Sequence, residues 1–205
     1  MPRKLGRAMS AKQAGAAAAI PSDALIEINS SVELWQIVEI FEFQREGSTM
    51  GIAATLAEYL RRQDAKYNVV EHPHTATALE SARTGHVALN RLAKGVVLRG
   101  SDGFVLAVLP ASSHIQFSRL HQQLGADLDM ASEEQIETLF PDCERGAVPA
   151  IGAAYGLKVI VDDSLANEPE IYFEGGDHAS LVHTSGSTFR ELLADARHGQ
   201  FTERG

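Results

Sequence analysis

The run KGVVLRGSDGFVLAVLP, residues 94–110, constrains this chain more than any other stretch. Two segments rich in Val, Leu and Phe stand on either side of Ser101, Asp102 and Gly103. Such side chains suit the pleated face of a strand, and a short Asp-Gly turn folds one strand back along the next. The reading is a β-hairpin, so the chain must build a sheet around it.

The other segments supply helices and further strands. In IAATLAEYLRRQDA, Ile52, Leu56 and Leu60 recur on one stripe with Ala53 and Tyr59 close by, the pattern of an amphipathic helix. YNVVEH reads as a short strand. TALESARTG places Thr77 and Glu80 at capping-box spacing, with Gly85 as the stop. FSRLHQQLG and SEEQIETLF read as helices, the second capped by Ser132 with Gln135 three residues on. LKVIVDD, EIYFEGG and SLVHTS read as strands, and STFRELLADAR as a closing helix. Helices and strands mix without a strict βαβ rhythm. The expected class is therefore α+β: a mixed, largely antiparallel sheet or partial barrel surrounded by helices.

With 205 residues, the chain has room for one full core plus an appendage. Residues 1–49 are the expected appendage, an extension that is disordered or packed on the domain, and residues 50–205 the expected domain. The first twenty residues are basic and alanine-rich, ALIEINSSVELWQIVEIFEF is apolar without a clean period, and Met50 opens the regular text. Two explanations stay open: an upstream extension with Met50 near the natural start, or an added element at residues 24–43 that packs on the domain or a partner. The alanine tract is too short and too weakly apolar for a signal peptide, and no run approaches the length of a membrane span. A single cysteine, Cys143, excludes an internal disulfide framework and suits a reducing cytoplasm.

Net charge is −9, which argues against a protein that coats nucleic acid, since non-specific binding draws on phosphate neutralisation. A pocket for one nucleotide terminus needs only a few cations and remains open. Lys94, just ahead of Gly95 and the strand VVLRG, is either an edge residue with its stem on apolar surface or a point charge that holds a phosphate. GAVPAIG, residues 146–152, carries no charge; it is a plain connection or a rim of main-chain N–H groups aimed at a developing oxyanion. His72 and His74 flank Pro73 beside Glu71, a poor zinc set without further ligands at a recognisable spacing. His178 follows two glycines and Asp177 after a strand, a good place for a pocket residue, while His183 alternates with apolar neighbours like a wall residue. Asp162 and Asp163 end a strand, where a turn role is favoured over a catalytic one. Ser185 lacks a nucleophile elbow, Cys143 lacks a catalytic signature, and there is neither a Walker loop nor a dinucleotide fingerprint.

Taken in order, VVEHPHT, RLAKGVVLRG, LFPDCERGAVPAIGAAYGLKVIVDDSL and YFEGGDHASLVHTSG resemble the YbaK/EbsC-type aminoacyl-tRNA deacylases, relatives of the editing domain inserted in bacterial prolyl-tRNA synthetases. The resemblance covers about residues 50–198. It implies hydrolysis of the ester that joins a wrong amino acid to the 3′ CCA end of a tRNA, with no cofactor and no metal. It implies that Lys94 meets the terminal nucleotide near its phosphate, that Gly146 and Pro149 belong to the family's Gly-x-x-x-Pro loop around the ester, and that His178 shapes the amino-acid pocket. Ala147, Val148, Gly152, Asp162 and Gly176 are the expected substrate-lining residues. Some alanine-specific members carry asparagine after the lysine, where this chain has Gly95, so that substrate does not transfer. An aminoacyl-tRNA is the implied partner, presented by a synthetase or elongation factor. The alternative is a non-catalytic module that holds a nucleotide, peptide or protein on the same fold.

Overall fold

The structure is a computed structural model that describes residues 51–75 and 77–204; the expected extension over residues 1–49 and the opening Met50 lie outside the described residues. In chain order the elements are α1 (Ala54–Arg62), β1 (Tyr67–Glu71), α2 (Ala78–Thr84), β2 (Leu92–Gly100), β3 (Gly103–Pro110), β4 (Ser113–Ile115), α3 (Phe117–Leu124), β5 (Asp129–Met130) and α4 (Glu133–Leu139). A 3₁₀ turn (Gly152–Tyr155) leads to β6 (Lys158–Asp162), and a second (Asp163–Leu165) to β7 (Glu170–Glu174). β8 (Ser180–Ser185), α5 (Gly186–Leu192), β9 (Arg197–Gly199) and β10 (Thr202–Arg204) complete the described chain.

The hairpin sits at the centre of the sheet. Strand order is β1-β8-β7-β2-β3-β6-β9, an open path, with β5 pairing the free edge of β2 and β10 pairing β4 apart from the sheet. Within the large sheet the β1–β8, β7–β8, β2–β3 and β2–β5 pairs are antiparallel, and β2–β7, β3–β6 and β6–β9 are parallel, so the mixed, antiparallel-leaning sheet is as expected. β2 and β3 pair in register from Ala93 opposite Pro110 to Gly100 opposite Gly103. Gly103 takes φ +106°, a conformation that costs glycine little, and this allows the turn.

Alternation along β2 divides the interior in two. Ala93 and Val97 face a large core shared with Leu56 and Leu60 of α1, Phe189 of α5, and Val148 and Ile151. Leu92 faces the opposite side, with Ala82 of α2 and Leu181, and Leu98 lies on that side with Leu120 of α3 and Phe201. The helix caps agree with the sequence reading. Thr77 Oγ1 accepts from the Glu80 N–H, and Ser132 and Gln135 form a reciprocal capping box. Gly85 ends α2 at φ −80°, and the left-handed turn that follows falls on His86, φ 54°. The short strands β4, β5, β9 and β10 were not foreseen, because two or three residues are too few for alternation to show. No helix among the described residues is long and apolar enough to cross a membrane.

The cap on α4 matters because the GAVPAIG loop begins a few residues beyond that helix. Ser132→Ala removes the acceptor for the Gln135 N–H and should lower stability by about 1 kcal/mol, measured as a shift of the urea midpoint at constant slope.

Candidate functional site

The site forms where β2 loses its partner on one edge. β7 runs beside β2 only at Leu92–Tyr172 and Ala93–Phe173, and β5 takes over at Leu98–Met130, with Ala131 N–H bonding the Val97 carbonyl in between. Along residues 94–96 that edge has no strand against it among the described residues. β7 departs at Gly175 and Gly176. Gly176 takes φ +114° and its added Cβ would lie 2.8 Å from the Ala53 Cβ and 3.1 Å from Cys143 Sγ, so only glycine permits the bend.

The 146–152 loop packs against this break. A Cβ on Gly95 would lie 3.2 Å from Val148 Cγ1 and 3.3 Å from the Pro149 carbonyl, which shows how closely the loop covers the strand. Ala147, Ala150 and Ile151 are fully buried. Only the Ala147 N–H is used, donating to the Glu144 carbonyl at 3.0 Å; the N–H groups of Gly146, Val148, Ala150 and Ile151 have no acceptor among the described residues. Counted along the chain, two residues separate Gly146 from Pro149. The loop therefore reads Gly-x-x-Pro, one residue shorter than the Gly-x-x-x-Pro spacing that the resemblance implies.

His178 completes the wall. It holds φ 55°, is 6% exposed, and its Nε2 lies 2.8 Å from the Arg145 carbonyl and 3.5 Å from where a Gly146 Cβ would stand. Gly176 joins the same arrangement by accepting the Glu144 N–H at 2.7 Å. Of the expected set, Gly146 thus lies by His178, Gly176 is bonded to Glu144 nearby, and Val148 and Pro149 lie against Gly95.

Three expected residues stand elsewhere or otherwise. Lys94 lies between Ala93 and Gly95, both turned to the large core, so its side chain leaves β2 on the opposite face from the loop. Its Nζ donates to the Ala111 carbonyl at 3.4 Å, it has no ion pair among the described residues, and burial lowers its pKa. Lysine and loop therefore stand on opposite faces of β2, and the ammonium turns to the Ala111 carbonyl beyond β3 rather than to the loop. Asp162 is not a lining residue. Its Oδ1 accepts from the Ser164 N–H at 3.0 Å and its Oδ2 from the Phe201 N–H at 3.0 Å, so both oxygens are committed to the turn and to the C-terminal segment. Gly152 is a packing position: a Cβ there would press on Val159 at 2.8 Å and Leu106 at 3.1 Å, in the large core.

His72 and His74 turn to different partners, the Pro73 carbonyl and the Glu144 carboxylate, and no group of three metal-ligating side chains gathers among the described residues. Cys143 lies 3.3 Å from Tyr155 Oη, and burial pushes its thiol up to about 11, which disfavours the reactive thiolate. A separate cavity of about 370 Å³ opens at the far end of the hairpin, between the Gly100–Gly103 turn, Leu124 and Arg197. Sequence reasoning missed Glu174 and Ser81. Both are buried and bonded at 2.7 Å on the α2 side of β7, and the one available signal was an acid closing an otherwise apolar strand.

The loop thus sets main-chain donors without an acceptor among the described residues against a gap in the mixed sheet. The family described as the aminoacyl-tRNA editing domain matches residues 72–192, more than half of the chain, and the chain belongs to that family. It is 34% identical over 93 residues to a proline–tRNA ligase of Thermosipho africanus (strain TCF52B), a match covering 42% of this chain and 17% of that protein. A proline–tRNA ligase of Thermosipho melanesiensis is 29% identical over 80 residues, 38% of this chain and 14% of that protein. The match thus spans under a fifth of each of these relatives. A solved structure described as a candidate trans-editing enzyme for prolyl-tRNA synthetase is 25% identical with a TM-score of 0.64, covering 73% of this chain and 95% of that one. A structure described as hypothetical protein APE2540, 17% identical with a TM-score of 0.65, covers 73% of this chain and 99% of that one and shares the fold.

Asp162→Ala leaves the Ser164 and Phe201 N–H groups unpaired. It should lower stability by about 1–3 kcal/mol for each buried donor it strands, seen as an earlier urea transition.

Proposed function

We propose that this protein hydrolyses the ester of misacylated tRNA in trans, with loop 146–151 polarising the ester carbonyl and Lys94 anchoring the terminal nucleotide. The observation that carries the reading is the set of unpartnered N–H groups at Gly146, Val148, Ala150 and Ile151, next to the open edge of β2. Family membership and the neighbour described as a candidate trans-editing enzyme support the substrate class.

The chemistry asks little of side chains. An aminoacyl ester is already activated, and water attack builds negative charge on the carbonyl oxygen. A fixed donor aimed at that oxygen is worth about 2.7–4 kcal/mol in the transition state. The N–H groups of a stiff loop need no reorganisation to supply it, and Pro149 restricts the loop while contributing no donor of its own. Selection then follows from size. A synthetase cannot reject an amino acid one methylene smaller by more than about 1–3 kcal/mol, whereas a second, narrower pocket excludes the larger residue outright. On this reading Ala147 and His178, both buried beside Gly146, set the size limit.

Lys94 plays the electrostatic part. Burial disfavours its charge and no carboxylate among the described residues repays the loss, so a phosphate that reaches it gains a cation that is poorly solvated beforehand. The aminoacyl end then lies by the loop on one face of β2 and the nucleotide by Lys94 on the other. A net charge of −9 confines recognition to that tip of the tRNA, which suits presentation by a synthetase or elongation factor in the cytoplasm.

Lys94→Ala should reduce deacylation of a panel of Ala-, Ser-, Thr- and Cys-charged tRNAs by about 10–100-fold, the value of one charge-assisted hydrogen bond. The urea midpoint should stay unchanged, since the removed cation has no ion pair. A wild-type protein that leaves the whole panel intact would favour a non-catalytic binding module.

A further inference from the structure

The cavity of about 370 Å³ beside the hairpin turn takes no part in the reaction proposed above. Its size falls at the lower end of small-molecule pockets, which run about 300–1,000 Å³. Strand register shows how it forms. Val105 of β3 lies opposite Lys158 of β6, and Ile160 of β6 lies opposite Ala107 on one side and Arg197 of β9 on the other. Residues directly opposite, or two apart on one strand, share a face of the sheet. All five therefore stand on the face that carries Leu98, Leu120 and Phe201. Helix α3 ends at Leu124, and the cavity opens past that end, with Val105 and Ile160 as floor and Leu128 as wall.

The wall is held by the protein itself. Gly125 closes α3 at φ 66°, His121 Nε2 lies 2.9 Å from the Leu128 carbonyl, and β5 ties the next residues to Leu98 and Arg99. On the hairpin side, a Cβ on Gly100 would lie 2.7 Å from Leu128 Cδ2, so a glycine lets the turn close onto the wall. A chamber already in shape reduces the entropy lost on binding. The rim is charged. Lys158 and Arg197 stand on adjacent strands, and Asp195 and Asp102 complete it. Lys158, Arg197 and Asp195 have no side-chain hydrogen bond or ion pair among the described residues, and Asp102 accepts only from the Ser101 hydroxyl, at 3.1 Å. Asp195 acts at longer range on the Tyr59 phenol, whose pKa is raised by burial and by that charge.

A simple anion would satisfy the two cations and oppose the two carboxylates, and a simple cation would do the reverse. A zwitterion answers both, and the chamber between them takes an apolar body. The lining has no aromatic ring; its large apolar residues are Val, Leu and Ile. We propose that this cavity binds a free α-amino acid with a branched aliphatic side chain. The carboxylate lies on Lys158 and Arg197, the ammonium on Asp195, and the side chain against Val105, Leu124 and Ile160. Arginine suits the first role because its planar fork matches the two oxygens of a carboxylate. At an exposed rim each ion pair adds little, so selection comes from meeting both at once. The cavity is separate from the ester pocket: the 146–152 loop packs on the face of β2 that bears Val97, and the cavity lies on the other. The inference therefore stands apart from the deacylation reading.

The test is backbone-amide NMR of the full chain titrated with three probes: leucine, isocaproate, which is leucine without the ammonium, and isoamylamine, which is leucine without the carboxylate. Expected are leucine-induced shifts at Val105, Leu124 and Ile160, and binding about fivefold weaker for either truncated probe, the upper value of one exposed ion pair. Asp195→Asn should bring leucine down to the level of isocaproate, while Arg197→Gln should weaken both. Both side chains are exposed and unpaired, so neither change should move the urea midpoint. Absence of shifts, or a truncated probe that binds as well as leucine, overturns the inference. Shifts confined to residues 146–151 overturn it too, and would place the amino acid in the ester pocket instead. The three probes on wild type decide the matter if a variant does not fold.

Discussion

Strand β2 keeps a continuous partner on one edge, where β3 follows it from Ala93 to Gly100, and an interrupted one on the other. That interruption is what the rest of the structure depends on. If β7 continued alongside β2 past Phe173, the main-chain groups of residues 94–96 would be tied up in the sheet, and the loop would have nothing to face. Instead β7 bends away at two glycines, one of them at a positive φ that most side chains resist. The bend opens the sheet and leaves Glu174 as the last buried residue of the strand, while the turn that follows carries His178 to Gly146.

This arrangement explains how a site with few ionisable groups can have defined chemistry. The loop contributes direction, because its peptide groups are held by the packing of Ala147, Ala150 and Ile151 and by the ring of Pro149. His178 contributes a fixed hydrogen bond to the residue just before Gly146. Lys94 stands on the other face of the strand, partly desolvated, with its ammonium on the Ala111 carbonyl and no ion pair among the described residues. In the proposed reaction, main-chain donors and one ammonium act on an ester that is already activated.

Much of the architecture was legible before any coordinates. The 94–110 hairpin with its Gly103 turn, the α1 stripe and the Thr77 and Ser132 caps all depend on neighbours in sequence, and such signals survive without tertiary context. The grouping of Gly146, Pro149 and His178 came from a resemblance, since spacing alone left the loop as a plain connection. For Asp162 the residues favoured a turn and the resemblance a pocket, because a carboxylate at a strand end serves either. Only the distant Phe201 N–H, across a long stretch of chain, decides between them.

The amino-acid sequence by itself determined that this chain makes a central hairpin flanked by amphipathic helices, carries an uncharged glycine-proline loop, and can hold at most a local nucleic-acid contact. Those properties follow from periodicity, local backbone preference and net charge, all of which act over short range or over the whole composition. Tertiary structure alone decided which face of β2 each residue takes, so that Lys94 leaves the strand on the face opposite the loop. It also decided that the end of β1 meets the turn after β7, where the His72 N–H donates to the Ala179 carbonyl at 2.8 Å. The physical reason is that pairing of distant strands, and the desolvation it imposes, depend on where the sheet breaks, and no local pattern in the sequence encodes that position.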